Sequence, residues 1–364
     1  MKVLFYLGHP AHYHLFKNVL SQLKTNGHSI YLLIKKKDIL EELVKESGFN
    51  YLNIQPAGRK DDKLSIALGL LHRDCGILKA CFKNRPDIMV GTSTEITHIG
   101  KLLKIPAINV NEDDFDAVPL FAKMGYPLAS CILAPNPCRT GKWEDKTVHY
   151  SGYHELAYLH PNQFLPDQER IKKYVNLDES FFLLRFAKLT AHHDTGKSGI
   201  TTEIAQKIIN ILEPKGNIYI TSERELESQF EKYRIKINPD DVHHALFYAE
   251  MYIGDSQTMA AEAAVLGTPS LRYNDFVGKL GYLDELEHDY GLTFGIQTQY
   301  PNQLFKKIED LVNSENLQQE YKARRNRMLS EKIDVTAFMV WFFENYPQSH
   351  RIMRENPAYQ DNFL

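Results

Sequence analysis

The sequence predicts an α/β protein made of two successive domains, each a parallel sheet flanked by helices. Short apolar runs typical of buried strands alternate with amphipathic helical patterns along the chain. After a turn-rich stretch at 134–146, which contains two prolines, the same alternation begins again. At 364 residues the chain is also too long for one ordinary hydrophobic core. We therefore expect two domains of similar size.

The composition excludes several classes of protein. With 43% hydrophobic and 24% charged residues, the chain has the balance of a folded protein. Its net charge of -3 gives no reason to expect a nucleic acid or an anionic membrane as the main partner. The four cysteines have no pair at metal or redox spacing, which favours reduced thiols. No signal peptide or membrane span is visible, so we expect a cytoplasmic protein with at most peripheral membrane contact.

The first loop of the chain is rich in histidine. An apolar run at 3–7 ends at Gly8, and His9, His12 and His14 follow at the start of a predicted helix. Since the later glycines of the dinucleotide fingerprint are missing, NAD is not expected. In open parallel sheets, ligands bind where the strands end. The histidines therefore fit substrate contacts, packing or solvated side chains, or a metal site, and the sequence leaves these alternatives open.

A run of acids follows the predicted strand at 106–110. The stretch NEDDFD at 111–116 contains Glu112, Asp113 and Asp114. Acids in this place either face the positive end of a helix dipole or form a catalytic cluster. Both interpretations remain open from the sequence alone.

The stretch MYIGDSQTMAAEAAVLGTPSL at 251–271 organises the second domain. It predicts a buried strand, a polar turn at 254–258, an alanine-rich helix and a further strand. We expect Ser256 or Thr258 to cap the helix, and Gly267 to end it in the left-handed conformation. The first helical turn leaves backbone N–H groups unpaired at the positive end of the dipole. This stretch therefore predicts an anion-binding turn.

Glu262 lies one turn into that helix, where a helix packed on a sheet ordinarily carries an apolar residue. A carboxylate there could reach past a bound diphosphate and accept hydrogen bonds from ribose hydroxyls. Substrate contacts would then come from Asp255, Ser256, Gln257 and Thr258. The combination indicates a nucleotide-sugar pocket. The alternative is an ordinary βαβ unit with a solvated glutamate.

A second candidate loop follows the first strand of the second domain. The strand FFLLRFA carries Arg185, and the loop KLTAHHDTGKSG carries Lys188, His192 and His193. Imidazole titrates near neutral pH, so these histidines could act as bases or as phosphate partners. The other interpretations are a structural loop and a metal site, although adjacent residues rarely converge on one ion.

The polar turn resembles the donor-binding turn of the GT-B superfamily, which includes twin-Rossmann glycosyltransferases and non-hydrolysing UDP-N-acetylglucosamine 2-epimerases. In the epimerases the turn reads roughly Asp-Ser-Gly-Gly, followed four residues on by Glu. Asp255, Ser256 and Glu262 stand in the same register here. Gln257 and Thr258 replace the two glycines, which makes close approach of a pyrophosphate to the backbone harder.

Four stretches together resemble a prokaryotic family known only as a domain of unknown function within GT-B. They are GHPAHYHLFKN, SGYHELAYL, AHHDTGKSG and the Glu262 helix with LGTP. The resemblance implies two Rossmann-like domains facing a cleft, with the last helix crossing back to the first domain. The implied bounds are 1–150 for an acceptor domain, 151–333 for a nucleotide-sugar domain, and 334–364 for the crossover helix and tail.

The same resemblance implies a glycosyltransferase that takes a nucleotide-diphosphate sugar, with UDP favoured, for surface polysaccharide or glycolipid precursors. The acceptor would be a saccharide or a lipid-linked molecule, and neither a metal nor another cofactor is expected. One alternative is an epimerase-like enzyme that eliminates UDP from the sugar and adds it again. The other is a nucleotide-sugar binding protein without turnover.

The resemblance also distributes roles among residues. His9, His12, or an acid of 112–114, with Glu112 and Asp113 favoured, would serve as the general base. A functional histidine of the epimerases lies in the loop that matches AHHD, at His192 or His193. We expect His193 to act in catalysis and His192 to contact substrate together with Arg185 and Lys188.

Overall fold

The computed structural model of this chain describes residues 1–56, 63–187 and 199–364. These residues form two compact units. Unit 1 comprises Met1–Gln163 and Lys332–Leu364, and unit 2 comprises Phe164–Glu331. The stretch 151–163, which the sequence analysis assigns to the second domain, lies in unit 1. The functions assigned to the two domains stay predictions.

Unit 1 is built on a seven-stranded parallel sheet. Its strands are β1 (Lys2–Leu7), β2 (Ser29–Lys35), β3 (Tyr51–Gln55), β4 (Ile88–Gly91), β5 (Ala107–Val110), β6 (Cys131–Pro135) and β7 (Thr147–Tyr150). They pair in the order β3-β2-β1-β4-β5-β6-β7, every described pair parallel. The helices between them are α1 (Pro10–Thr25), α2 (Leu40–Glu46), α3 (Lys63–Asn84), α4 (Thr94–Leu103) and α5 (Pro119–Gly125), and the short α6 (Leu156–Leu159) follows β7. Because helices cover a parallel sheet, its central strands are apolar along their length.

Unit 2 repeats this plan with five strands. They are β8 (Phe181–Phe186), β9 (Asn217–Ser222), β10 (Met251–Gly254), β11 (Ser270–Tyr273) and β12 (Thr293–Ile296). The order is β12-β11-β10-β8-β9, again with parallel pairing. Its helices are α7 (Thr202–Leu212), α8 (Val242–Tyr248), α9 (Gln257–Leu266), α10 (Gly281–His288), α11 (Pro301–Val312) and α12 (Leu317–Glu331). The stretch that organises the second half of the sequence thus supplies the central strand, β10.

The chain returns to unit 1 through its last two helices, α13 (Val335–Glu344) and α14 (Gln348–Glu355). Helix α13 packs against α1, and the ring of Phe343 lies 6.1 Å from that of Phe5 in β1. The apolar final helix therefore completes the core of unit 1. The predicted α/β fold, with two parallel sheets and a final helix on the first domain, is confirmed. No helix in the described parts of the chain has the length and apolar composition that a membrane span requires.

Burial in this helix predicts a large effect of truncating one aromatic side chain. Phe343→Ala should lower the free energy of unfolding by roughly 3–5 kcal/mol, because it leaves a cavity beside a fully buried ring. Phe82→Ala is the control, since Phe82 is 66% exposed and its loss should change stability by less than about 0.5 kcal/mol. Urea denaturation of the two variants measures both values. Equal effects would contradict the packing described for α13.

Candidate functional site

The histidines of the first loop separate into two environments. His9 caps α1, and its Nδ1 accepts a hydrogen bond from the N–H of Ala11 at 3.2 Å. Its ring centroid lies 6.0 Å from that of His12, which is one turn further along. His14 is buried elsewhere and packs 5.4 Å from the ring of Tyr158. The structure therefore brings together two of the three predicted histidines.

His12 is held by its neighbours at the carboxyl edge of the sheet. Its Nδ1 accepts from the N–H of Gly8 at 3.1 Å, and the hydroxyl of Thr92 lies 2.7 Å from both ring nitrogens. Burial holds the pKa of His12 well below its ordinary value. Charge on three nearby basic side chains, His9, Lys35 and His154, lowers it further. His12 is therefore neutral near pH 7, and both of its ring nitrogens face a partner.

A second imidazole, His154, is oriented by Glu112. The Oε2 atom of Glu112, in the loop after β5, lies 3.3 Å from both the backbone N and the Nδ1 of His154. Burial lowers the pKa of His154 to about 4, against the opposing charges of Glu155 and Asp113. The ring is therefore neutral, and its Nδ1 lies within ion-pair distance of the carboxylate. Its Nε2 keeps a lone pair and is buried without a partner among the described residues.

The other residues of the acidic run hold the loop in place. Asp114 is fully buried and accepts from the backbone N–H and Nε of Arg139, at 3.0 and 2.8 Å. The side chain of Asn111 donates to the hydroxyl of Tyr126 at 2.7 Å. Helix α5 begins later and carries no acid in its first turn. The acids therefore do not form a helix N-terminus, and Glu112 lies next to a histidine.

Sequence reasoning did not single out His154. The residue stands in the stretch SGYHELAYL, only four residues after the end of β7. A polar, titratable residue just after a buried strand was the available signal, since parallel strands end at one edge. Glu112, its partner, is 42 residues away in sequence, so the pairing itself had no local signature.

The turn between β10 and α9 has the predicted helix signals. Ser256 is the N-cap, and its hydroxyl accepts from the N–H of Met259 at 3.4 Å. Gly267 ends the helix with φ +84°, in the left-handed region that favours glycine. Both of these expectations are confirmed. The four alanines of α9 are fully buried, which allows the helix to lie close to the sheet.

The start of α9 leaves hydrogen-bonding groups available. Within the described residues, the N–H groups of Gln257 and Thr258 have no acceptor. The side-chain Oε1 of Gln257 is also buried without a partner. Gly254, just before the turn, has no room for a side chain, because a Cβ there would lie 2.3 Å from the hydroxyl of Tyr252. The turn thus offers two N–H donors at the positive end of a ten-residue helix.

Asp255 faces the backbone of its own unit. Its carboxylate accepts from the N–H of Ala187 at 2.6 Å and of Ile200 at 3.3 Å. Burial raises its pKa to about 6, and these donors oppose the rise. The side chain therefore ties the end of β8 to the chain just before α7. Its predicted contact with substrate stays a prediction.

Glu262 is paired inside unit 2. Its Oε1 lies 3.0 Å from Nε2 of His243 in α8, and both side chains are only 6% exposed. Residues on two helices are thereby linked through a buried hydrogen bond. The sequence predicts that Glu262 is a pocket residue, and the structure shows that its carboxylate also pairs with a histidine of another helix.

The remaining candidates lie at the end of β8 and beyond it. Arg185, which pairs in register with Gly254, forms an ion pair with Glu223, and its Nε is buried without a partner among the described residues. Lys188, His192 and His193 lie outside the described residues. Where the structure does describe the chain, no group of three His, Cys, Asp or Glu residues is placed to hold a metal ion.

Comparisons with known proteins agree with this fold. A family model described as "Protein of unknown function (DUF354)" matches residues 1–340. The UDP-N-acetylglucosamine 2-epimerase of Rickettsia bellii is similar in structure, with a TM-score of 0.64 at 16% identity over 97% of this chain and 98% of that one. The S. aureus MnaA–UDP complex gives 0.67 at 11% identity over 96% and 97%.

A glycosyltransferase, the spinosyn forosaminyltransferase SpnP, is also similar, with a TM-score of 0.63 at 13% identity over 92% of this chain and 96% of that one. At such identities the likeness establishes a shared fold, the GT-B fold. The sequence matches no protein of curated function.

The lowered pKa of His154 predicts a specific loss of stability in acid. Its pKa is about 4 in the folded chain and about 6.5 in an unfolded one, so protons bind the unfolded state more tightly. The effect is absent above pH 6.5 and grows as the pH falls towards 4. His154→Gln removes this titration. When the pH falls from 7 to 4.5, the free energy of unfolding should decrease in both proteins. The decrease should be roughly 2–3 kcal/mol smaller in the variant than in the wild type.

Urea denaturation at both pH values measures this difference. His288→Gln is the matched control, because it makes the same substitution at an exposed position of α10. If His154→Gln and the wild type lose stability in parallel, the ring of His154 is not held neutral by burial.

Proposed function

The chain belongs to the family described as protein of unknown function DUF354, and from this premise we propose a glycosyltransferase that uses a nucleotide-diphosphate sugar. The donor would be a UDP sugar, and the acceptor a saccharide or lipid-linked molecule of surface polysaccharide or glycolipid synthesis. The observation that carries the proposal is the neutral imidazole of His154, oriented by Glu112 with an unpartnered Nε2.

The start of α9 would hold the diphosphate of the donor. Its two available N–H groups and the positive end of the helix dipole suit an anion. Arg185, at the end of the strand beside β10, adds a guanidinium whose Nε has no partner among the described residues. Support also comes from similarly folded proteins, since MnaA has been solved as a complex with UDP.

Glu262 would accept hydrogen bonds from the ribose hydroxyls. The hydrogen bond from His243 fixes the carboxylate in one orientation. A fixed acceptor loses less conformational entropy when it binds a hydroxyl, which favours tighter binding. In the proposed role, His243 thus positions the Glu262 carboxylate for the ribose. The same hydrogen bond explains why a carboxylate is tolerated on the buried face of α9.

His154 would be the general base that removes a proton from the acceptor hydroxyl. A base must be unprotonated before it acts, and burial keeps this ring neutral throughout the neutral pH range. As the proton arrives at Nε2, the Glu112 carboxylate at Nδ1 stabilises the imidazolium that forms. His12 fits this role less well, because the N–H of Gly8 occupies its Nδ1 and the hydroxyl of Thr92 lies 2.7 Å from both ring nitrogens. His9 and Asp113 remain proposed contacts at the same edge.

Epimerase-like chemistry is the second candidate. The observation that favours it is that Glu112, in the loop after β5, lies 3.3 Å from His154, so that an acid and a base stand side by side. Such an enzyme would eliminate UDP from its substrate and add it back to the opposite face of the sugar. It requires no acceptor, and this difference separates the two candidates.

Incubation with UDP-N-acetylglucosamine, with and without a mixture of saccharide acceptors, tests the proposal. We expect slow release of UDP alone and faster release with an acceptor. His154→Gln should lower the accelerated rate by roughly 10²- to 10⁴-fold, the usual contribution of a general base. His149→Gln is the control, since His149 lies in β7 but pairs with Glu144, and it should retain the rate.

The manno epimer, formed rapidly without an acceptor, would replace the first candidate with the second. Binding of the nucleotide sugar with no turnover under any condition would contradict both enzymes and leave a binding protein. Product analysis by NMR distinguishes these outcomes because the epimers and free UDP have separate signals.

A further inference from the structure

Helix α3 of unit 1 carries an apolar stripe on the side that faces away from the sheet. Its inner side is formed by residues such as Ile77 and Ala80, which are buried in the core. On the outer side, large apolar residues recur at steps that align them along one face of a helix. They are Leu68, Leu71, Leu78 and Phe82, of which Leu78 is partly buried and the other three are exposed. A helix packed on a sheet ordinarily presents polar residues on this side.

Helix α4 extends the apolar stripe. The two helices pack side by side, and Nδ1 of His98 in α4 lies 3.2 Å from the carboxylate of Asp74 in α3. They run in the same direction, because each leads into one of the adjacent parallel strands β4 and β5. One turn beyond this contact, α3 carries Leu78 and α4 carries Leu102, so the two leucines lie side by side. Leu102 is 65% exposed, and the apolar surface therefore spans both helices.

Five cationic side chains accompany these apolar residues. Each is exposed, and none forms an ion pair within the described parts of the chain. They are Lys79, Lys83, Arg85, Lys101 and Lys104. The acids nearest to them in sequence are Asp74, which pairs with His98, and Asp87, which accepts from the backbone N–H of Lys2 at 2.7 Å. Five cations against two acids give this region a positive charge, although the whole chain carries -3.

We call these five cations and the exposed apolar residues beside them the α3–α4 surface. Helix dipoles account for part of its charge, because cations in a last helical turn face the negative end of the dipole. They do not account for Lys79, which lies more than one turn before the end of α3. Nor do they explain why Phe82 and Leu102, next to Lys83 and Lys101, expose about two thirds of their side chains. A partner that is both anionic and apolar would explain both features.

The charge decides between the possible occupants. A two-fold contact between copies of this chain would place the same surface on both subunits, so five cations would face five cations. The phosphates of a nucleic acid would match the charges but leave the apolar side chains without a partner. An anionic lipid surface satisfies both, because its head groups attract lysine and arginine while apolar side chains enter the boundary with the acyl chains.

We propose that the α3–α4 surface docks on an anionic lipid surface. Phe82 and Leu102 enter the boundary between head groups and acyl chains, with Leu68 and Leu71 further along the same stripe. The five cations lie among the head groups. Such docking requires neither the nucleotide nor the acceptor of the proposed function, and it is therefore measured without them.

Co-sedimentation of the full chain with lipid vesicles tests the proposal. One set of vesicles is phosphatidylcholine alone, and the other is phosphatidylcholine with phosphatidylglycerol at about 2:1. Binding to the mixed vesicles should be at least roughly tenfold stronger, since each cation near an anionic surface contributes about fivefold. High salt should reduce this difference, because it screens exposed charges.

Two double variants separate the apolar contribution from the charge. Phe82→Ala with Leu102→Ala should weaken binding to the mixed vesicles roughly tenfold, because less apolar area enters the lipid. Lys83→Gln with Lys101→Gln should weaken it roughly 25-fold, the product of two fivefold effects. All four positions are exposed, so the melting temperature should hold in both variants.

Matched controls make the same kinds of change in unit 2. Leu165→Ala removes a side chain that is 79% exposed, and Lys306→Gln with Lys322→Gln removes two exposed cations from α11 and α12. The second control changes the net charge by the same amount as the lysine variant. Neither control should alter binding to the mixed vesicles.

Three results would overturn the proposal. The first is equal binding, or no binding, of the wild type to the two kinds of vesicle. The second is a loss of binding that is the same in the variants and in their controls. The third is a dimer, detected by light scattering without lipid, that Phe82→Ala with Leu102→Ala converts to a monomer. That result would assign the α3–α4 surface to a second copy of the chain.

Discussion

Parallel pairing of the described strands in both sheets is the constraint on which the placement of polar groups depends. Parallel strands all end at one edge, so the loops that follow them gather there. In unit 1 this edge collects Thr92, Glu112 and His154, which follow β4, β5 and β7. In unit 2 the corresponding edge brings Arg185 beside the turn that begins α9. The apolar strands position these groups without contributing chemistry themselves.

Burial and hydrogen-bond partners then determine the protonation state and orientation of each polar side chain at these edges. His154 is kept neutral and its ring is oriented by Glu112, a state that suits proton transfer. Asp255 is more deeply buried, but two backbone N–H groups donate to its carboxylate, so it holds the loop ends together. Glu262 combines both effects, because its hydrogen bond from His243 holds a carboxylate in one place. Buried side chains thus take different roles according to their partners.

Local signals in the sequence predicted much of the fold. They did not predict which side chains pair across large separations in sequence. The Ser256 cap and the Gly267 stop depend on residues within one helix, and both were predicted. The partners of Asp255 lie 68 and 55 residues away, and Glu262 lies 19 residues from His243. No spacing rule connects residues at such distances. The sequence placed the candidate residues at the carboxyl edges of the two sheets. Which side chains pair with each other there is visible only in the structure.

Calorimetric titration of UDP into the wild type and Glu262→Gln tests most directly the claim that the start of α9 and Glu262 hold a nucleotide. The glutamine keeps an oxygen that accepts from His243, so the melting temperature should hold, while the charged ribose acceptor is lost. A hydrogen bond to a charged group contributes roughly 1.5–3 kcal/mol. The account therefore predicts UDP binding that weakens roughly ten- to a hundredfold in the variant. Absence of UDP binding to the wild type, or equal affinity in both proteins, would contradict it.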